Sequence, residues 1–303
     1  MMELTDFQLK MTTLFPEIEL RFNESMAKHT SFHIGGPAEV MAMPKNIKEL
    51  SELLKKSVLL DCKIAILGAG TNVLAPDTGM DGLVICLKDC MDGMEQLDAT
   101  RIRVAAGVTM TRAAVFAAGL GLGGMEFAHG IPGTVGGGVY MNAGAYGGEI
   151  KDICESVDVM DMQGNIRTLS AEQMGFSYRH SSLEDEGGVV VSVVFSLENK
   201  DPDMIRSQMQ DLMNRRKTSQ PLDKPSAGSA FKRPATGYAA ALIDQAGLRG
   251  YRIGDAAVSE KHAGFVVNLG DATAQQVKQL LQNVAEKVKE NSGVDLEPEV
   301  RIW

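Results

Sequence analysis

The sequence has few cysteines and few aromatic residues, and it has no long hydrophobic run. Four cysteines and one tryptophan occur among 303 residues, and aromatic residues make up 5% of the chain. Cys62, Cys86, Cys90 and Cys154 lack the paired CxxC spacing of zinc sites, so they indicate reduced thiols in a cytosolic fold. No stretch approaches the ~18 uncharged apolar residues of a transmembrane helix, so we expect no membrane span.

Basic charge is also scarce, since 30 Lys and Arg stand against 39 Asp and Glu. An acidic chain without a basic run is poorly suited to nucleic acid or to an anionic membrane surface, so neither partner is expected. The N-terminal segment lacks the basic region and apolar run of a secretory signal, which predicts a cytoplasmic location. The histidines show neither HxH nor HExxH spacing, so we expect no metal site.

Glycine is abundant, with 32 residues, and twelve of them lie between Gly119 and Gly148. Core-type residues such as Met125, Phe127 and Val139 stand among these glycines, which disfavours the alternative of a flexible linker. The segment is better interpreted as ordered backbone that closely approaches another group. Hydrophobic residues at 44% and charged residues at 23% are typical of a globular protein and exclude disordered and collagen-like chains.

The apolar patterns predict a mixture of strands and helices. Strands are expected at 38–43, 63–68, 83–87, 101–107, 157–162, 188–197 and 263–269. One helix is expected after Pro44 with Ile47, Leu50, Leu53 and Leu54 on one face, and others at 109–118 (with Gly119 at the C-cap), 203–216 and 273–290. Their irregular order favours an α+β fold over a doubly wound sheet. Polar stretches near 88–98 and 215–229 predict domains at 1–90, 91–217 and 218–303.

The first glycine-rich turn, LGAGTNVLAPDTGMDG (67–82), directly follows a predicted strand. Gly68 and Gly70 allow close backbone approach, and Thr71 and Asn72 add side-chain donors, so the turn is suited to a pyrophosphate. It lacks the third glycine of a Rossmann fingerprint and the Lys-Ser/Thr of a Walker loop. A turn that merely connects two strands is the alternative.

The second glycine-rich segment, GIPGTVGGGVYMNAGAYGGE, offers a further row of backbone amides at Gly133, Thr134, Gly136 and Gly137. Two phosphate-compatible loops far apart in sequence indicate one extended dinucleotide. Because neither loop has the Rossmann context, the natural candidate is a flavin cofactor on a different fold.

Three later motifs contain candidate catalytic residues. FSYRHSS contains Arg179, SAGSAFKRP contains Ser229, and LEPEVRIW contains Glu299. From the residues alone, each has a structural alternative: a surface ion pair for Arg179, a cap or turn serine for Ser229, and a solvated strand residue for Glu299. Ser229 is not in a GxSxG elbow, which argues against a serine hydrolase.

Together these segments resemble the UDP-N-acetylenolpyruvoylglucosamine reductase family, from about His29 to the C-terminus. The resemblance rests on the order TSFHIGGPA, LGAGTNVL, GIPGTVGG, MNAGAYG, YRHS, SAGSAFKRP, IGDAAVSEKHAGFVVN and LEPEVR. It implies an α+β fold with a two-lobed FAD-binding domain of the vanillyl-alcohol-oxidase (PCMH) type and a C-terminal α/β substrate-binding domain. Since YRHSS runs through LEDEGG directly into a strand, the chain looks like the shorter type, without the inserted tyrosine loop.

The resemblance also implies a reaction. NADPH reduces a non-covalently bound FAD, and hydride then passes to the enolpyruvyl group of UDP-N-acetylglucosamine enolpyruvate, giving UDP-N-acetylmuramate for peptidoglycan. By the family pattern Ser229 is the proton donor, and Arg179 and Glu299 are the other catalytic residues. The LGAGTN and GIPGTVGG segments would contact FAD, Lys232 and His262 would bind substrate, and the protein would act as a monomer.

Two alternatives to this function are considered. A different reductase or oxidase on the same flavin fold would keep both glycine-rich loops but would not need SAGSAFKRP or EPEVR. A non-catalytic nucleotide-binding module would carry no yellow flavin. For His262, a core position in HAGFVVN is the alternative to substrate binding.

Overall fold

The computed structural model describes residues 4–303. Within this range the helices are α1 (Asp6–Leu14), α2 (Ile47–Leu59), α3 (Met110–Gly119), α4 (Val135–Tyr140), α5 (Leu183–Glu186), α6 (Pro202–Ser219), α7 (Ala239–Gln245) and α8 (Ala274–Ser292). The strands are β1 (Glu19–Ser25), β2 (Pro37–Met43), β3 (Ile64–Leu67), β4 (Val73–Leu74), β5 (Met80–Cys86), β6 (Met94–Gln96), β7 (Arg101–Ala105), β8 (Leu122–Gly123), β9 (Gly144–Ala145), β10 (Gly148–Glu149), β11 (Cys154–Met160), β12 (Ile166–Ser170), β13 (Val189–Ser196), β14 (Glu198–Asn199), β15 (Ser226–Ser229), β16 (Arg252–Ile253), β17 (Ala256–Val258), β18 (Phe265–Asn268) and β19 (Arg301–Ile302).

The chain divides into two compact units. Unit 1 comprises the residues up to 22 together with 39–69 and 81–215, and unit 2 comprises 23–38, 70–80 and 216–303. Two short segments from the first third of the chain therefore belong to the same unit as the C-terminal part. The three-domain division at 90 and 217 stays a prediction.

Unit 1 contains a five-stranded antiparallel sheet in the order β12-β11-β13-β7-β6. Val157, Val193 and Phe195 are fully buried in the core on this sheet, together with the alanines of α3. A second sheet has the order β1-β2-β5-β3, in which β3 and β5 run parallel. Its core includes Leu50, Leu53 and Leu54 of α2. The last pair of this ladder is Leu67 with Cys86, and the first glycine-rich turn begins at this end of β3.

Unit 2 is built on an antiparallel sheet in the order β15-β18-β17-β16, which α8 contacts. Thr273 and Gln276 form the predicted capping box of α8, and its predicted stripe (Val277, Leu280, Leu281, Val284, Val288) is buried. In addition, β19 pairs in parallel with β4, placing Arg301 beside Val73 and Ile302 beside Leu74. This pairing explains why residues 70–80 belong to unit 2.

All seven predicted strands are confirmed within a few residues, and so are the four predicted helices. Three details were wrong. Gly119 is the last residue of α3 rather than its C-cap, and Ile47 is 46% exposed because it begins α2 instead of joining the buried face. The polar stretch from 215 also continues α6 to Ser219.

The four cysteines are free thiols, as predicted. Burial raises the pKa of Cys154 to about 12, so this thiol stays protonated at neutral pH. Among residues 4–303, none of the helices combines the length and apolarity needed to cross a bilayer. In the same range, no group of three His, Cys, Asp or Glu side chains is arranged to hold a metal ion.

Candidate active site

The two predicted phosphate loops meet in unit 1, around Thr134. Gly68 follows the last residue of β3, and a Cβ at Gly68 would lie 2.5 Å from Thr134 Oγ1. Thr134 is the N-cap of α4, and its Oγ1 accepts a hydrogen bond from Gly137 N at 3.3 Å. Glycine at position 68 is thus what lets the first loop approach the second this closely.

The glycines of the second loop differ in their surroundings. Gly133 has a φ of +132°, which favours glycine. Gly136 is buried, donates its N–H to Ala106 O at 2.9 Å, and would place a Cβ 2.9 Å from Ala106 Cβ. Gly137, in contrast, is exposed. Gly136 is therefore needed for packing on the end of β7, while Gly137 lies on the surface with its N–H bonded to Thr134 Oγ1.

These loops fit an FAD pyrophosphate on structural grounds. Gly68 and Gly133 are half-buried and Gly137 is exposed, so the main chain reaches the surface of unit 1 at all three positions, beside the Thr134 hydroxyl that accepts from Gly137 N. Backbone amides and hydroxyls without flanking carboxylates are the groups that bind phosphate oxygens in such cradles.

The remainder of the first turn belongs to unit 2. Gly70 has a φ of +60°, and any Cβ there would collide with the carbonyl oxygen of His29. Asn72 donates from Nδ2 to Glu299 O at 3.1 Å, and Asn72 O accepts from Arg301 N at 3.0 Å. The side chain of Asn72 thus contacts the Glu299 segment, and contact of Thr71 and Asn72 with the cofactor stays a prediction.

Ser229 lies at the exposed end of β15. The register of β15 against β18 shifts between Ser226 and Ser229, and Gly228 takes a φ of +78° at this irregularity. Ser229 then pairs with Phe265. A glycine-based bulge of this kind redirects the following side chain, so the structure presents the hydroxyl on a strand and not at a helix cap.

Glu299 and Lys232 are held next to this strand by main-chain bonds. Glu299 N donates to Ala230 O at 2.9 Å, and Lys232 N donates to Glu297 O at 2.8 Å. Lys232 Nζ also pairs with Glu297 Oε1 at 2.5 Å. These bonds bring the segment after Ser229 against the segment that contains Glu299.

His262 lies just before β18, the strand that pairs with β15. Its Nδ1 accepts from Gly264 N at 3.1 Å, and its ring packs edge-on against Phe265, with centroids 5.0 Å apart. Burial lowers the pKa of His262, and the positive charge of Arg249 lowers it further. His262 is therefore neutral at pH 7, with its proton on Nε2. Gly264 O accepts from Ala230 N at 2.8 Å, which links this segment to Ser229.

Arg179 belongs to unit 1, in a tight turn where Ser177 and His180 exchange main-chain hydrogen bonds. Its φ is +56°, an uncommon conformation for a residue with a side chain. The guanidinium donates to Gly144 O at 3.3 Å and lies 4.9 Å from the centre of the Tyr178 ring.

The structure brings together Ser229, Lys232, His262 and Glu299 in unit 2, and Gly68 with the second glycine-rich loop in unit 1.

Two supporting residues escaped prediction. Asp77 accepts hydrogen bonds from Ala274 N at 2.7 Å and Gln275 N at 3.1 Å, at the start of α8. Asn142 is completely buried. A lone amide within the apolar and glycine-rich MNAGAYG was the available signal for Asn142.

Comparison with known families gives two matches along the chain. Residues 220–303 match the model described as "UDP-N-acetylenolpyruvoylglucosamine reductase, C-terminal domain". Residues 38–170 match the model described as "FAD binding domain". The predicted α+β fold, with an FAD-binding domain followed by a C-terminal domain, is thereby confirmed.

Curated relatives match nearly the whole chain. A UDP-N-acetylenolpyruvoylglucosamine reductase of Lactococcus lactis subsp. cremoris is 45% identical over 287 residues, which are 95% of each chain. The protein of the same name from Caldanaerobacter subterraneus subsp. tengcongensis is 45% identical over 97% of this chain and 96% of its own. The crystal structure of the Thermus caldophilus reductase superposes with a TM-score of 0.79 at 34% identity, covering 95% of this chain and 99% of that chain.

Proposed function

The chain belongs to the UDP-N-acetylenolpyruvoylglucosamine reductase family, and from this premise we propose that it reduces UDP-N-acetylglucosamine enolpyruvate to UDP-N-acetylmuramate. It is an FAD-dependent oxidoreductase that takes its hydride from NADPH. The reaction would supply a precursor of peptidoglycan.

The cofactor is held without a covalent bond. In unit 1, Gly68, Gly133, Thr134 and Gly137 would bind its pyrophosphate, while Gly136 would support the second loop by packing on the end of β7. By the family resemblance, Gly70, Thr71 and Asn72 are also assigned to cofactor binding. The chemistry supplied by bound FAD is hydride transfer from NADPH to C3 of the enolpyruvyl ether. The protein must therefore supply the proton at C2 and stabilise the charge that develops there.

Ser229 donates the proton to C2 in this proposal. A serine hydroxyl is a weak acid, but an enolate is a strong base, and a fixed cation nearby favours the transfer. By the family resemblance, Arg179 is assigned this role, since a guanidinium stabilises negative charge where it develops in the transition state. Glu299 assists this transfer. It either stabilises the developing enolate or is itself a proton donor. Lys232 and His262 bind the substrate.

The observation that carries the proposal is the clustering in unit 2. Ala230 bonds to both Glu299 N and Gly264 O, so one residue next to Ser229 ties the strand to the carboxylate segment and to the His262 segment. A hydroxyl, an ammonium, a neutral imidazole and a carboxylate on linked segments suit proton delivery to a bound anionic substrate. A structural serine would not require these neighbours.

The absorption spectrum of the purified protein tests the proposal. We expect an oxidised flavin band that NADPH bleaches without oxygen and that the enolpyruvyl substrate restores, with UDP-N-acetylmuramate as product. Acid precipitation should release the yellow colour. A colourless protein that cannot take up FAD would favour the nucleotide-binding module, and bleaching without restoration would favour a different flavin reductase.

We also propose that the protein is a cytoplasmic monomer that needs neither membrane nor nucleic acid. The net charge of −9 supports this, because an acidic protein repels nucleic acid and anionic membrane surfaces. Sedimentation velocity should give the mass of one 32.6 kDa chain. A concentration-dependent dimer would contradict the monomer.

A further inference from the structure

The loop from Tyr140 to Glu149 contains the whole of MNAGAYG (141–147), a motif for which the proposed chemistry has no role. Its β9–β10 hairpin turns through Tyr146 and Gly147, whose φ values are +55° and +90°. A Cβ at Gly144 would lie 2.7 Å from Glu149 Cγ, so the hairpin closes tightly. The loop is thus a closely packed hairpin rather than an irregular connection.

This loop contacts the Arg179 turn at three points. Asn142 Nδ2 donates to Ser177 O at 2.9 Å, where the turn begins. The Arg179 guanidinium donates to Gly144 O at 3.3 Å, and Ser181 Oγ donates to Tyr140 O at 2.8 Å just after the turn. The turn is therefore held before, at and after Arg179.

Asn142 is the side chain that joins the loop to the turn. It is 0% exposed, and besides Ser177 it contacts Glu149 Oε2 through Nδ2 at 2.8 Å and Lys151 N through Oδ1 at 3.0 Å. Its φ of +42° is one that asparagine tolerates better than most residues. With both ends of the amide engaged, the group cannot rotate without leaving a buried polar atom unpaired.

We propose that Asn142 is a positioning residue for Arg179, an inference that rests on the proposed function. Asn142 fixes the Ser177 carbonyl, and through it the left-handed turn that directs the guanidinium. It touches no reacting atom. Its effect on catalysis is therefore the effect of misplacing Arg179, and a displacement of about 1 Å is enough to cost about 10²-fold in rate.

The test compares Asn142→Ala with Val139→Ala in the FAD-loaded enzyme. Val139 is also 0% exposed and precedes Asn142 by one turn of backbone, but its side chain lies in the apolar core of unit 1. Asn142→Ala should slow restoration of the flavin band by the enolpyruvyl substrate by roughly 10- to 100-fold while NADPH bleaching keeps its rate. Val139→Ala should lower thermal stability and leave both half-reactions unchanged.

Two further variants keep the inference testable if Asn142→Ala folds poorly. Asn142→Asp keeps the acceptor for Lys151 N but cannot donate to Ser177 O, so it should show the same selective slowing. In an Arg179→Met background, Asn142→Ala should slow restoration by less than about twofold, since coupled residues are non-additive. Equal slowing of both half-reactions, or a full additional loss in the Arg179→Met background, would overturn the inference. If the wild-type band is not restored by substrate, the proposed function fails instead.

Discussion

Replacing Gly68 by alanine should disturb the meeting of the two glycine-rich loops through a single atom. The new Cβ would lie 2.5 Å from Thr134 Oγ1, whereas Thr134 Cβ and Cγ2 would be at 3.6 and 3.7 Å, which are ordinary contacts. The φ of Gly68 is not in the left-handed region, so alanine brings no backbone strain. The whole penalty therefore comes from the hydroxyl of Thr134.

The magnitude follows from the cost of overpacking a buried contact. Forcing one atom into a packed site costs about 1–3 kcal/mol. Replacing glycine by alanine also raises the free energy of unfolding by about 0.4–1 kcal/mol, because it reduces the conformational entropy of the unfolded chain. Thr134→Ala alone loses the cap of α4, at about 1 kcal/mol. In the double variant the clash disappears, so its free energy of unfolding should lie above the additive value by about 1–3 kcal/mol.

Denaturant unfolding of the FAD-stripped protein, followed by circular dichroism, measures these energies without the contribution of bound cofactor. FAD titration should show weaker binding to Gly68→Ala and partial recovery in the double variant. If the changes in the free energy of unfolding of the two single variants add up to that of the double variant within about 0.5 kcal/mol, the two loops do not meet at this contact and the reasoning is refuted.

Two other predictions concern the charged and titratable groups. Arg179→Met and Glu299→Gln should lower kcat far more than they raise KM, because interactions with the developing enolate act in the transition state; an unchanged kcat with a raised KM would reassign both to ground-state binding. His262 has a pKa below its ordinary value of about 6.5, so its stabilising contribution is present above about pH 6.5 and is lost as the pH falls towards the lower folded pKa. The free energy of unfolding should therefore fall more steeply between pH 7 and 5 in the wild type than in His262→Gln, and parallel curves would contradict this.

The elements with strong apolar periodicity were predictable from the sequence. The apolar stripe and the capping box predicted both ends of α8 to within two residues. The valine-rich run at 188–197 predicted β13. The resemblance to the reductase family, which rests on motif order, is confirmed by the relatives. These features depend on the local pattern of residues, so a single sequence is enough to predict them.

The long-range pairings were not predictable in the same way. Nothing in GTNVL indicates that Val73 and Leu74 pair with Arg301 and Ile302, more than two hundred residues later. Because of this pairing, the amide of Asn72 contacts the Glu299 carbonyl, a contact that a phosphate-loop pattern does not suggest. The partners of Asn142 were hidden for the same reason, since its motif and the Arg179 motif meet only in the folded chain.

The most direct test of the central claim is the rate of each half-reaction in Ser229→Ala, measured by stopped-flow absorbance at the flavin band. Hydride transfer from NADPH needs no proton at C2, so bleaching should keep its wild-type rate. Restoration by UDP-N-acetylglucosamine enolpyruvate should slow by about 10²–10⁴-fold, the usual cost of losing a positioned general acid. Equal slowing of both halves, or of neither, would contradict the assignment of Ser229 as the proton donor.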